Sequence, residues 1–209
     1  MWKTVFMNII FRKLFKDIPP EKEGKELLLR ANASAFRVFQ DEGFRKLTDF
    51  AKQSQVEQDR IFNELCVTAI VYLMFMIEGK LYFERVVPER IRFWNSLHDM
   101  IPDLHVNNLK SLGIDEQNAS IWKKLIKMRH REYKDNRRIT RSAWAKELAT
   151  SKANPEFDEM AVRLETLTVG ALDHITRGQA VPDFQDPLRR HLRTWLSTLE
   201  ARLYKRVGW

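Results

Sequence analysis

The chain has 209 residues, 44% of them hydrophobic, a formal net charge of +8 and a single cysteine. That length and apolar content exclude a disordered chain and leave room for one large domain or two small ones around a real core. One cysteine excludes an intramolecular disulfide and any zinc site built from several thiolates, and it fits a reducing, cytoplasmic setting.

The amino terminus reads MWKTVFMNIIFRKLFKDIPP. It carries no small-residue cleavage signal, and Arg12, Lys13 and Lys16 cut its apolar stretch short. Residues 2–17 predict a helix with Trp2, Phe6, Ile9 and Ile10 on one side. Such a helix docks on a membrane surface, or simply on the core with its last-turn cations suiting the helix dipole. Ile18-Pro19-Pro20 ends it.

A second helix is predicted over about 21–40, with Leu27, Leu28, Ala31, Ala35, Val38 and Phe39 apolar and Gly43 as its break. A short helix carrying Phe44, Leu47 and Phe50 leads on to Ser54-Gln55-Val56-Glu57, a capping-box pattern. Behind it lies the stretch that organises the chain, Cys66 to Ile77, CVTAIVYLMFMI, which is apolar on every face. Its twelve residues fall short of the roughly 20 that span a bilayer, so a helix buried in a bundle is expected, with Gly79 as its stop. The run LYFERVV fits a helical turn or an extended connector. Pro88 opens a helix with Ile91, Trp94, Leu97 and Ile101, and Pro102 is expected to end it, leaving 103–117 as a loop.

A helix starting near 115–118 buries Ile121, Trp122, Leu125 and Ile126, and its apolar pattern stops at Tyr133. Asn154-Pro155 and Asp186-Pro187 each cap and start a later helix. β-branched alternation is almost absent. The expectation is an all-α, single-domain helical bundle of about seven or eight helices around a buried central helix, with 120–146 as a basic, partly protruding segment.

That segment holds the whole charge excess. Between Ser120 and Lys146 there are ten Lys or Arg against Glu132 and Asp135. Lys123, Lys127, Lys134, Arg138 and Arg141 recur at helical steps, with Arg131 beside them and Arg137 adjoining, so these seven are the candidate nucleic-acid-binding residues. Tyr133 and Trp144 are candidate stacking platforms for single-stranded bases. Arg189, Arg190 and Arg193 would extend the surface if their helix packs nearby. The alternative is a solvated face balanced by the acidic 153–186 region, which has seven carboxylates. Residues 139–157 also have helix-turn-helix spacing, although Glu156, Asp158 and Glu159 would meet phosphates in a groove.

Evidence for an enzyme is thin. There is no glycine-rich phosphate loop, no G-x-S-x-G, no H-E-x-x-H and no E-x-x-H. His98 and His105 are expected to be separated by the break at Pro102. Cys66 sits in an apolar run that suppresses thiolate formation. Asn118-Ala-Ser120 matches a glycosylation acceptor without meaning in a cytoplasmic chain. Arg92-Phe-Trp-Asn-Ser-Leu-His98 resembles the Arg…His motif of the HEPN ribonucleases, which are all-α and often dimeric. That resemblance implies metal-independent RNA cleavage by the RNA's own 2′-hydroxyl, with Arg92 and His98 as the acting pair. The same residues fit an amphipathic helix with Arg92 on its solvent side.

The sequence therefore predicts a non-catalytic binding or assembly protein. It would hold an anionic partner, nucleic acid (RNA or DNA) being favoured, with a protein partner in a larger assembly or a membrane surface as further candidates. No cofactor and no metal are expected.

Overall fold

The structure is a computed structural model that describes residues 18–83, 88–179 and 183–207, with Arg206 and Val207 described by backbone alone. Among them are eight α-helices, one 3-10 turn (Phe50–Lys52) and no strand. The helices are α1 (Pro20–Gln40), α2 (Glu42–Leu47), α3 (Gln55–Phe83), α4 (Pro88–Ser111), α5 (Glu116–Ala143), α6 (Ala145–Thr150), α7 (Pro155–Thr176) and α8 (Pro187–Val207). The expected N-terminal helix over 2–17 lies outside the described residues.

Helix α3 is the axis. From Glu64 to Ile77 every residue is buried, and α1, α4, α5, α7 and α8 all pack against it. It is long and apolar enough to cross a membrane, yet 83% of its most apolar window is covered by the rest of the chain. Ser54 starts it as expected, its Oγ accepting from the Glu57 amide at 3.3 Å. Gly79 does not stop it. The helix runs on to Phe83 because Gly79 and Lys80 are themselves buried, and tertiary packing offsets the roughly 1 kcal/mol a helical glycine costs.

Three other boundaries differ from the sequence reading. The break between α1 and α2 is Asp41, not Gly43. Asp41 sends its own amide to the Val38 carbonyl, and its carboxylate accepts from the Phe44 amide at 2.8 Å. Pro102 does not end α4. It lies buried inside the helix, between buried Ile101 and Leu104, and the helix continues to Ser111. The cost of about 3 kcal/mol for an interior proline is outweighed by burial on both sides of it. Most of the expected 103–117 loop is therefore helix, and the true turn is 112–115. It is shaped by Gly113 at φ 90° and closed by Asp115, whose carboxylate caps α5 through the Asn118 amide at 2.9 Å. The later starts are as expected: Asn154 accepts from the Glu156 amide and Asp186 from the Arg189 amide.

Several polar groups inside the bundle are matched to one another. The Thr68 and Tyr133 hydroxyls lie 3.3 Å apart, and Tyr72 donates to Glu200, which also takes Arg163 at 2.7 Å. The seam between α5 and α7 is unusually close. A Cβ on Gly170 would stand 2.2 Å from the Tyr133 ring, so only glycine there lets Tyr133 reach Thr68.

Candidate nucleic-acid interface

Helix α5 carries the basic segment and is stitched into the bundle by Ala119, Ile126 and Tyr133, buried at seven-residue intervals against α3, α4 and α7. Anchoring does not end at Tyr133, because Thr140 still bonds Thr166 of α7 at 3.2 Å. Exposure takes over only from 141 to 150. Tyr133 is fully buried and cannot stack on a base; Trp144 is half-buried at the helix end.

The cations of α5 divide by face. On the inward side, Arg129 grips Glu64 of α3 with two nitrogens, at 2.7 and 3.1 Å, and also reaches Glu132 at 3.0 Å. Burial opposes the Arg129 charge, but these two carboxylates outweigh it and hold the guanidinium firmly protonated. Lys123 pairs with Asp103 of α4. Arg137 pairs with Glu159 of α7 and stands 3.5 Å from Glu78 of α3, and Arg141 also pairs with Glu159. Three of the seven sequence-named residues, Lys123, Arg137 and Arg141, are thus neutralised within the chain.

The outward side is different. Lys127, Arg131 and Lys134 are exposed and make no ion pair among the described residues; nor does Lys124, which the sequence reading passed over. Arg138 is exposed, with only a solvent-open contact to Asp135 at 3.2 Å. Lys124, Lys127, Arg131, Lys134 and Arg138 follow one another at alternating steps of three and four residues. At 100° and 1.5 Å per residue they occupy an arc of about 80° and a length of about 21 Å. Exposed Ile121, Met128 and Ile139 form one shoulder of this row.

Other expected extensions do not join it. Arg189 and Arg193 both turn to Glu165 of α7, and α8 packs on α1, α2, α3 and α7. The helix-turn-helix candidate loses its reading helix, because α7 is a core helix with twelve buried residues and its Glu159 is already committed to Arg137 and Arg141. Arg60 bonds Glu57 and the carbonyls of His174 and Ile175 at the end of α7.

The Arg92–His98 pair is split as well. Arg92 is exposed beside Glu89, whereas His98 turns inward to Glu78 and His130. Six residues of helix place the two side chains about 120° apart around the axis. Burial raises the Cys66 thiol to about 12, so it stays protonated. His98 and His105 do share one uninterrupted helix and both face α5: the His98 ring lies 5.4 Å from that of His130, and the His105 ring 5.1 Å from that of Trp122.

Comparison with protein-family models, with curated proteins and with solved structures gives no match.

Proposed function

We propose that this chain is a non-catalytic helical scaffold that holds a polyanion, nucleic acid above all, along the outward row of α5. The observation that carries the reading is the division of charge on that helix. The carboxylates in reach have taken the inward cations, and five remain in a straight, solvent-facing row on a rigid element. Each phosphate met by one of them releases condensed counterions, which supplies affinity without base contacts. With Tyr133 withdrawn into the core, phosphate contacts rather than base stacking dominate, so sequence preference is weak.

The test is fluorescence anisotropy with labelled single- and double-stranded oligonucleotides over a salt series. Five phosphate contacts predict a slope of log K against log salt of about −4.5 on duplex and about −3.5 on single strand. Replacing Lys124, Lys127, Arg131 and Lys134 by glutamate abolishes binding at physiological salt. If that variant binds as the parent does, or if binding ignores salt, the reading fails.

A further inference from the structure

Beside the ion-pair seam, three helices bring one donor each to a common point. Glu78 of α3, His98 of α4 and His130 of α5 place a carboxylate oxygen and two imidazole nitrogens within 4.8 Å of one another. All three side chains are between 16% and 19% exposed, so the point is sheltered but reachable from solvent. Both histidines address the same atom with the same ring nitrogen. Glu78 Oε1 lies 3.4 Å from His98 Nε2 and 2.7 Å from His130 Nε2.

The His98 ring is the telling member. Its Nδ1 faces Asp99 at 3.3 Å, and the tautomer with Nδ1–H donating to that carboxylate leaves the lone pair on Nε2. That Nε2 is buried, makes no hydrogen bond, and points at a carboxylate oxygen, which is also an acceptor. An imidazole nitrogen and a carboxylate oxygen 3.4 Å apart are bridged either by a proton on Nε2 or by a metal ion bound between them, and the second His at the same oxygen favours the ion. A carboxylate behind a histidine whose other nitrogen faces outward is also the outer-shell pattern of protein metal sites.

We propose that Glu78, His98 and His130 form a binding site for a divalent first-row transition ion of the zinc class. Two imidazoles and one carboxylate suit such ions and disfavour hard Mg2+. Metal–ligand bonds of 2.0–2.1 Å in a tetrahedron set donors about 3.3 Å apart. The Glu78–His98 separation of 3.4 Å already meets that spacing, and the His130 contact of 2.7 Å must open by about 0.6 Å. Three protein donors leave a fourth position for water or an outside ligand. Arg137 approaches the other carboxylate oxygen, Oε2, at 3.5 Å and so leaves Oε1 to the ion. The chain holds no E-x-x-H or H-E-x-x-H spacing; the site arises from tertiary packing alone.

The experiment uses the full, untagged chain stripped with chelator. Calorimetric titration with Zn2+ is expected to give one ion per chain and no heat with Mg2+, and Co2+ is expected to give a visible d–d band. H98Q and H130Q each weaken Zn2+ binding by more than the ~100-fold that marks the upper range for an outer-shell loss, and D99N weakens it about 10-fold. Circular dichroism establishes that each variant is folded. In the parent chain, Zn2+ shifts the imidazole proton resonances of His98 and His130 and leaves those of His105, His174 and His191 in place, a readout that needs no variant. Absence of stoichiometric binding, shifts at the other histidines instead, or Zn2+ affinity unchanged in H98Q and H130Q would overturn the proposal. So would His98 titrating as a proton carrier with no metal uptake. The four-glutamate variant of α5 keeps its Zn2+ site, so failure of the polyanion reading and failure of this one are separate results.

Discussion

The two faces of α5 carry the same residue types and have opposite physical roles. Inward, Arg129 and Arg137 are held by carboxylates from α3, α5 and α7 and act as rivets between helices, while Lys123 and the more exposed Arg141 pair with Asp103 and Glu159 at the margin of that face. Outward, Lys124, Lys127, Arg131 and Lys134 project into solvent with no ion pair among the described residues. A net charge therefore says nothing about a surface until the partners are known. The +8 excess on 120–146 is real as a sum, but only its outward share can meet a ligand.

The difference can be broken most sharply at Arg129. Arg129→Met strands Glu64 in a largely buried position and is expected to cost about 3–4 kcal/mol in urea unfolding. Adding Glu64→Leu to it should recover most of that loss, because removing both members leaves no uncompensated charge. Recovery that fails to appear would mean the pair contributes more than its own desolvation.

The neighbouring seam between α4 and α5 gives a pH signature. His105 is buried with neither ring nitrogen bonded, and burial depresses its pKa to about 4 from the ordinary 6.5. The unfolded chain binds the proton more readily, so stability is full above pH 6.5, falls as pH drops from 6.5 towards 4, and loses nothing further to this group below that. The expected total is about 3 kcal/mol, and His105→Leu should flatten the slope in that window. His98 works the other way. Burial opposes its charge, but Glu78 and Asp99 outweigh burial and raise its pKa, so its share is present below 6.5 and is lost above. Glu78 has its carboxyl held well down: burial pushes it up, and the adjacent His130 and His98 imidazoles more than reverse this, so its share is lost only as pH falls below the ordinary 4.5.

Packing on the inward face is tested at Gly170. Gly170→Ala gains helix propensity but drives a methyl into the Tyr133 ring, and a net loss of about 1–2 kcal/mol is expected, with the Thr68–Tyr133 contact opened. The smallest effect belongs to the outward face. Lys127→Met should change stability by no more than about 0.5 kcal/mol while measurably weakening oligonucleotide binding. A large stability loss there would show that the row is structural after all.

Much of the fold was readable because helix signals are local. The apolar run at 66–77, the Ser54 cap and the Asn154-Pro155 and Asp186-Pro187 starts each depend on a few adjacent residues, and each is present. Gly79 and Pro102 misled for a shared reason. Both are breakers by intrinsic preference, and both are buried where packing outweighs it. In the basic row, Lys124 was within reach of the sequence, since it continues the three-and-four spacing of Lys127, Arg131, Lys134 and Arg138. Which cations face inward was not readable, because Glu64, Glu78, Asp103 and Glu159 arrive from other helices.

What the chain determined alone is its class and its axis: a run greasy on all sides must be covered, and with too few glycines, prolines and β-branched alternations for strands, only helices can cover it. What tertiary structure decided is the fate of every charge. A cation becomes a rivet or a contact point according to whether a carboxylate distant in sequence reaches it, and the meeting of Glu78, His98 and His130 is settled by how three helices cross. Local periodicity places a side chain on a face; only packing supplies what that face meets.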